Sequence, residues 1–236
     1  MITDKNKDFL SQYGSKKHID TLLDDNKNQN KHFVVDNHLF DENHVRKFLS
    51  SQDREDYDDR TIFKSKSVPK DIIDSYVNSN SFKKMTTVAN SPNLTREHID
   101  TILSSEHEMP KRQLLSNKHV MKNHKDFILE HPVAGKYMTK EYVKNYDLKT
   151  TGEHEKYVNH SDPEIRGEVA KQHRIPIEHQ ETLSRDPNKS VRAKYAMNNV
   201  ANLNILRTMM KDPNEDETIK ELAKINSARR GQHYYP

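Results

Sequence analysis

The sequence predicts an all-α fold built from short helical repeats, and three observations indicate it. Similar segments recur along the chain, and apolar residues within them are three and four positions apart, which is helical spacing. Alternating runs with tight glycine turns, the usual sign of strands, are nearly absent. Only 32% of the residues are hydrophobic and the mean hydropathy is −1.09, which excludes one wide core and favours an elongated fold with a thin core.

Each repeat is predicted to contain two helices. The first set of helical segments is marked by anchor residues that are 26, 28, 26 and 26 positions apart: Ile19, Val45, Ile73, Ile99 and Lys125. Gln180 and Leu206 are again 26 positions apart. The second set lies between these segments, at 30–37, 59–66, 82–91, 111–117, 165–172, 191–198 and 218–226. About eight such units are expected to stack into a solenoid.

Polar residues at the ends of these segments predict where the helices begin and end. Side chains that can accept a hydrogen bond at a helix N-cap precede four first-set segments: Ser15, Asp41, Thr95 and Thr139. An asparagine stands at the end of several second-set segments: Asn37, Asn117 and Asn198. Asparagine tolerates the left-handed backbone conformation that often closes a helix, so we expect that conformation there.

The regularity breaks once, over residues 131–160, which contain Pro132, Gly135 and Gly152. The predicted organisation is therefore fourfold: degenerate repeats over 1–130, an irregular junction over 131–160, better-matched repeats over 161–226 and a C-terminal tail over 227–236.

The segment 161–226 carries a recurring Asp-Pro step, at 162–163, 186–187 and 212–213, followed twice by Ile165-Arg166 or Val191-Arg192. This pattern resembles the leucine-rich repeat variant family and is also similar to HEAT-type repeats. The resemblance implies a right-handed superhelix of short and long helices that offers an interaction surface and carries out no reaction. The Asp side chains are expected to cap the following helix or to accept hydrogen bonds from Arg166 or Arg192.

Composition excludes several chemistries. The chain has no Cys and no Trp, and its five Gly residues are too far apart for a phosphate-binding loop. No nucleophile elbow or buried pair of carboxylates is evident, so we expect neither enzyme activity nor a cofactor. No stretch is long and apolar enough for a signal peptide or a membrane span, which predicts a cytoplasmic protein. The polar, Asn- and Lys-rich composition is similar to that of phage-encoded proteins, which extends the expected location to the host cytoplasm or the virion.

Five histidines share one repeat position, immediately before the anchor: His18, His44, His98, His124 and His179. One hypothesis is a metal site, but packed helices lie roughly 8–10 Å apart and zinc–nitrogen bonds are about 2 Å long, so no metal site is predicted. A second hypothesis is pH-sensitive packing between repeats. The simplest interpretation is that the rings bond to backbone or carboxylate groups of neighbouring repeats.

Basic residues recur at 16–17, 46–47, 83–84, 111–112, 166, 192, 207 and 229–230, among interleaved acidic residues that leave a net charge of +3. The candidate binding residues are Arg166, Arg192, Arg229, Arg230, Tyr234 and Tyr235.

The sequence predicts a non-enzymatic scaffold or adaptor for another protein, with a nucleic-acid-binding repeat protein as the alternative and an enzyme with a site in 131–160 as a weaker third. Cations gathered on one face would favour nucleic acid, whereas mixed charge with exposed apolar groups would favour a protein partner. The oligomeric state is left open.

Overall fold

The computed structural model describes residues 7–24, 31–50, 56–146, 148 and 151–231. Within these residues the chain has sixteen α-helices, a 3₁₀ helix over Lys31–Asp36 and no strand, which confirms the all-α prediction. The α-helices are α1 (Lys7–Tyr13), α2 (Lys16–Asp24), α3 (Glu42–Ser50), α4 (Asp56–Ile62), α5 (Lys70–Val77), α6 (Phe82–Val88), α7 (Arg96–Ser104), α8 (Glu108–Ser116), α9 (Lys118–Leu129), α10 (Gly135–Asn145), α11 (Thr151–Val158), α12 (Pro163–Val169), α13 (Ile177–Ser184), α14 (Lys189–Ala196), α15 (Leu203–Lys211) and α16 (Glu217–Gly231).

The chain divides into two compact units, Met1–Met138 and Thr139–Pro236. In both, a helix contacts its second neighbour along the chain. The first unit has such contacts between α5 and α7, between α7 and α9 and between α6 and α8, and the second has them along α12, α14 and α16 and between α13 and α15. The apolar anchors form part of each core and are at most 1% exposed: Ile19, Val45, Ile73, Ile99 and Leu206.

Three of the four predicted N-cap residues stand at the start of a helix. Thr95 Oγ1 accepts a hydrogen bond from the backbone N–H of His98 at 3.4 Å, and Asp41 Oδ1 accepts two backbone hydrogen bonds in the first turn of α3. Ser15 directly precedes α2. The prediction for Thr139 is wrong, because α10 already begins at Gly135 and Thr139 lies inside it.

Four side-chain amides form hydrogen bonds to the helical segment that precedes their own. Their nitrogens donate to two backbone carbonyls that lie 26 to 30 residues earlier, at the end of a preceding helix. The donors and acceptors are Asn117 with Ala89 and Ser91, Gln172 with Val143 and Tyr146, Asn198 with Ala170 and Gln172, and Asn226 with Ala196 and Asn198. These four donor side chains are at most 9% exposed, so each bond supplies a partner to a carbonyl that water does not reach easily.

The same amides correct the prediction of left-handed helix ends. Asn117 has φ −79° and ψ 99°, which is extended backbone, and Asn80 is the one non-glycine residue with positive φ in the described part of the chain. The asparagines recur because their side chains donate to the preceding segment. Asn37 makes a single bond of this kind, to the Gly14 carbonyl at 3.1 Å.

The chain passes from the first compact unit to the second after Met138, and the stretch 131–160 that the sequence marks as an irregular junction includes the helices α10 and α11. The predicted tail over 227–236 begins as helix, because α16 continues to Gly231. None of the described helices is long and apolar enough to cross a lipid bilayer.

Candidate functional site

Three of the five histidines of the predicted series cap their own helices. Nδ1 of the ring accepts a hydrogen bond of 3.1 Å from the backbone N–H of the residue that precedes the helix, and the pairs are His18 with Ser15, His44 with Asp41 and His98 with Thr95. In α7 the bond is reciprocal, because the Thr95 side chain also accepts from the His98 backbone. Histidine thus takes the position that glutamate or glutamine holds in most capping boxes. Because Nδ1 of His98 accepts this bond, a neutral His98 ring carries its proton on Nε2.

The opposite edge of two of these rings, His44 and His98, faces the preceding first-set helix. His98 Nε2 lies 2.6 Å from Asp74 Oδ1, and His44 Nε2 lies 3.9 Å from Asp20 Oδ1. Both carboxylates stand 24 residues before their histidine. One ring therefore caps its own helix and also links it to the helix before it.

The other two histidines of the series do neither. His124 lies at a kink inside α9, where its φ of −133° is not helical. His179 occupies the third position of α13, but Pro176 is the N-cap there and has no N–H to donate. The His179 ring stacks on His154 with centroids 6.1 Å apart, and its Nε2 is buried without a hydrogen-bond partner among the described residues.

The histidine geometry favours a structural role over a ligand-binding one. In the described ranges, no three His, Asp or Glu side chains are grouped so that they could hold a metal ion. The bonds to backbone and carboxylate groups match the simplest interpretation of the sequence. The hypothesis of pH-sensitive packing stays a prediction.

Arg166 is engaged inside the second unit. Its Nε and Nη2 donate to the two Asp186 carboxylate oxygens at 2.6 and 2.9 Å, and its Nη1 donates to the His160 carbonyl at 2.8 Å. The two side chains of the ion pair are only 12% and 3% exposed. The hydrogen bonds that Arg166 donates to Asp186 raise the pKa of Arg166. The guanidinium group thus links α12 to the segment that follows α13.

Arg192 repeats this arrangement one segment later. Its Nε and Nη2 donate to Glu215 at 2.8 and 3.0 Å, and its Nη1 donates to the Asp186 carbonyl at 2.7 Å. The Glu215 carboxylate raises the pKa of Arg192. Both candidate binding arginines are therefore committed to packing within the unit and offer little free charge to a ligand.

Four other basic residues predicted as a nucleic-acid surface pair with carboxylates, among them Lys16 and Arg46. Lys16 pairs with Asp41 at 2.6 Å, and Arg46 pairs with Glu42 at 2.6 Å and with Asp71 at 2.9 Å. These cations hold the pKa of Asp41 and of Asp71 below the ordinary value. Further members with a carboxylate, aromatic or amide partner are Lys47, Lys84, Arg112 and Arg207.

The tail candidates divide into two groups. Arg229 is exposed and has no ion-pair partner among the described residues, whereas Arg230 is half-buried and donates to the Ala201 carbonyl. Tyr234 and Tyr235 lie outside the described residues.

A groove of about 560 Å³ lies beside these two arginines, between the end of α14 and the last turns of α16. Met197, Leu222 and Ile225 supply its apolar lining, and we call it the C-terminal groove. Met197 is 63% exposed and Ile225 is 40% exposed. No Asp or Glu is among its lining residues within the described part of the chain.

A second groove, of about 290 Å³, lies beside Gln172, and we call it the upstream groove. Gln172 and Asn226 make the same kind of bond to the preceding helix end, so the two grooves can be superimposed in register. Alignment of the two donor amides places Glu168 at Leu222 and Lys171 at Ile225, and alignment of their acceptors Val143 and Ala196 places Lys144 at Met197. Charged residues of the upstream groove thus stand where the C-terminal groove is apolar. The sequence analysis missed this contrast, which an alignment on the amide positions would have exposed.

No protein-family model, curated protein or solved structure matches this chain.

Proposed function

We propose that the chain is a non-enzymatic helical-repeat module that binds another protein. One observation carries the proposal: several basic residues pair with carboxylates and acidic residues are interleaved with the rest, whereas several large apolar side chains face solvent. The apolar residues concerned are Phe9, Tyr13, Phe82, Met109, Val133, Ile177, Met197, Val200 and Ile225. Mixed charge with exposed apolar groups favours a protein partner over a polyanion.

The repeat solenoid is part of this proposal. Its support is the contact of many helices with their second neighbours, together with amide bonds and ion pairs that recur at separations of 20 to 30 residues. Stacked repeats contact mainly their neighbours and expose one long surface, which suits an adaptor. The right-handed superhelix and the kinship with leucine-rich repeat variant or HEAT-type repeats stay predictions.

The test of protein binding uses a photoreactive amino acid at exposed positions of the chain in its native source. We expect a discrete cross-linked protein from Met109 or Met197, which are apolar and exposed. Lys211, which is exposed and charged, is the matched control and should give none. Equal, diffuse cross-linking from all three positions would contradict a specific protein partner.

The alternative, a nucleic-acid-binding repeat protein, rests on the remaining unpaired cations, such as Arg229. It is tested by titrating labelled duplex and single-stranded oligonucleotides at about 50 and about 200 mM salt. We expect weak binding, because acidic residues are interleaved with the basic ones and leave a net charge of only +3. Tight binding whose affinity falls steeply as the salt concentration rises would favour nucleic-acid binding over protein binding.

The location in a phage virion or in the host cytoplasm also stays a prediction. It is checked by probing purified virions and host extracts of the native source with an antibody against the chain.

A further inference from the structure

We infer that the C-terminal groove binds an amphipathic α-helix of a partner protein that presents apolar side chains flanked by carboxylates. This inference rests on the proposed function and names the chemistry of the partner. Its starting point is that the fold does not require an apolar surface here.

The upstream groove supplies the internal comparison. There, Lys144, Glu168 and Lys171 occupy the corresponding positions, and the Gln172 amide still docks on the preceding helix end. Lys171 and Glu168 form an ion pair at that site, and Lys194 lies 3.9 Å from the same carboxylate. Charged residues therefore satisfy the packing of this surface, and their replacement by Met197, Leu222 and Ile225 needs another cause. Contact with a partner is such a cause, because exposed apolar area is a cost that binding removes.

The charged residues around the groove indicate which polar groups the partner presents beside its apolar side chains. Arg229 and Arg230 line it, Arg229 is exposed without an ion-pair partner among the described residues, and no carboxylate is among the described lining residues. Arg229 can therefore donate two parallel hydrogen bonds to an incoming carboxylate. A partner with apolar residues beside Glu or Asp complements both features.

The shape favours a helix as the docking element. The groove lies between the residues that follow α14 and the last turns of α16, and α14 and α16 contact each other directly. A partner helix can place one row of side chains into a groove beside such a helix pair. A volume of about 560 Å³ accommodates a few large apolar side chains and no more.

The experiment uses the whole chain and three fluorescent synthetic helices in anisotropy titrations. The first has a leucine face flanked by glutamates, the second has the same face flanked by lysines, and the third keeps the glutamates but has serines for leucines. We expect binding of the first peptide only, with an affinity that weakens moderately as salt is raised, because both apolar and charged contacts contribute.

Substitutions then test whether the peptide binds in the C-terminal groove. Met197→Lys and Ile225→Lys install residue types that the upstream groove already tolerates, so both variants should fold, and each should weaken binding by about tenfold or more. Arg229→Glu should weaken the acidic peptide and strengthen the basic one. Lys211→Glu, an exposed change outside the groove, should leave both affinities unchanged.

The inference is overturned if the basic peptide binds as well as the acidic one, or if the groove variants bind like the unchanged chain. It is also overturned if cross-linking from Met197 joins two copies of this chain, or if the acidic peptide binds only after residues 232–236 are removed. Absence of peptide binding together with a cross-linked partner at Met197 would refute the acidic helix and leave the proposed function standing. Absence of both would remove the proposed function as well.

Discussion

The two units link successive segments with different polar groups. In the first unit, histidines such as His44 and His98 cap a helix and face an Asp of the preceding helix that is about half exposed. Its lysine and arginine pairs, such as Arg46 with Asp71, are also largely exposed. In the second unit, Arg166 and Arg192 form two-pronged, largely buried bonds to a carboxylate.

This difference shows that the regular spacing of the segments determines which positions form polar contacts between neighbouring segments. The spacing does not determine which residue types make those contacts. An exposed pair gains little, because water and salt screen it. A buried pair gains little net energy either, yet removing one partner is costly because the other charge stays buried. We therefore expect the second unit to be the less tolerant of substitution.

The largest effect should come from Asp186→Ala. It leaves the Arg166 guanidinium buried without its carboxylate, and we expect the free energy of unfolding of the second unit to fall by about 3–5 kcal/mol. Denaturant titration with hydrogen exchange, which assigns the loss to a unit, measures it. Lys189→Ala, which breaks an exposed pair with Asp216 in the same unit, is the control and should have little effect. Equal losses in the two variants would refute the distinction between buried and exposed pairs.

A smaller loss is expected from Asn198→Ala. It removes the donor from the Ala170 and Gln172 carbonyls, both buried and both bonded at 2.8 Å, and should cost about 2–3 kcal/mol. In the first unit Asn37→Ala removes one carbonyl bond of this type, to Gly14, and should cost about 1 kcal/mol. Thermal melting of the two variants compares them, and a larger loss for Asn37→Ala would reverse the expected order of the units.

Substitution of histidine at one shared helix position should give opposite outcomes in the two units. His98→Leu removes a cap bond and a carboxylate bond and should cost about 1–2 kcal/mol. His179→Leu replaces a ring whose Nε2 has no hydrogen-bond partner in the described structure, so its stability should be unchanged or slightly higher. Chemical denaturation of both variants tests this, and parallel losses would show that ring packing matters more than the cap.

The smallest effect concerns pH. Burial lowers the pKa of His160 below the ordinary histidine value of 6.5, and its Nδ1 accepts the Asp162 N–H at 3.0 Å. Because the folded state disfavours the charged ring, this contribution to stability is complete above pH 6.5 and is lost as the pH falls below it. Melting temperatures from about pH 8 to about pH 5 should therefore drop slightly in the second unit.

His160→Gln keeps an acceptor but does not titrate, so its melting temperature should be flat over the same range. The lowered pKa values of Asp41 and Asp71 predict a separate loss in the first unit, which begins only below about pH 3.8. An unchanged pH profile in the His160 variant would assign the neutral-range loss to other histidines.

The sequence alone predicted the helices correctly, but it did not predict most of the polar contacts between segments. Apolar spacing placed Ile19 and Val45 in the core, and the local chemistry of N-caps identified Thr95 and Asp41 correctly. The N-cap prediction for Thr139 was wrong because the helix already begins four residues upstream, at Gly135.

The roles of the asparagines and arginines depend on residues 20 to 30 positions away, so local rules could not assign them. Asn117 suits a left-handed helix end by propensity, yet its amide donates to another segment. The Asp-Pro steps did indicate the pairing of Arg166 with Asp186, because that expectation already involved the next repeat. The C-terminal groove was missed because Met197 and Ile225 look like ordinary core residues until their exposure is known.

The amide bonds of the second unit also determine how its length can change. Asn198 donates to the carbonyls of Ala170 and Gln172, and its own carbonyl accepts from Asn226 in the same manner. If residues 173–198 were excised, the Asn226 amide would stand opposite the Ala170 and Gln172 carbonyls, which accept from Asn198 in the intact chain. Asn226 would therefore again have two carbonyl acceptors. Loss or duplication of one whole segment would thus leave each of these buried carbonyls with a donor, whereas a deletion that does not match a whole segment would break the register.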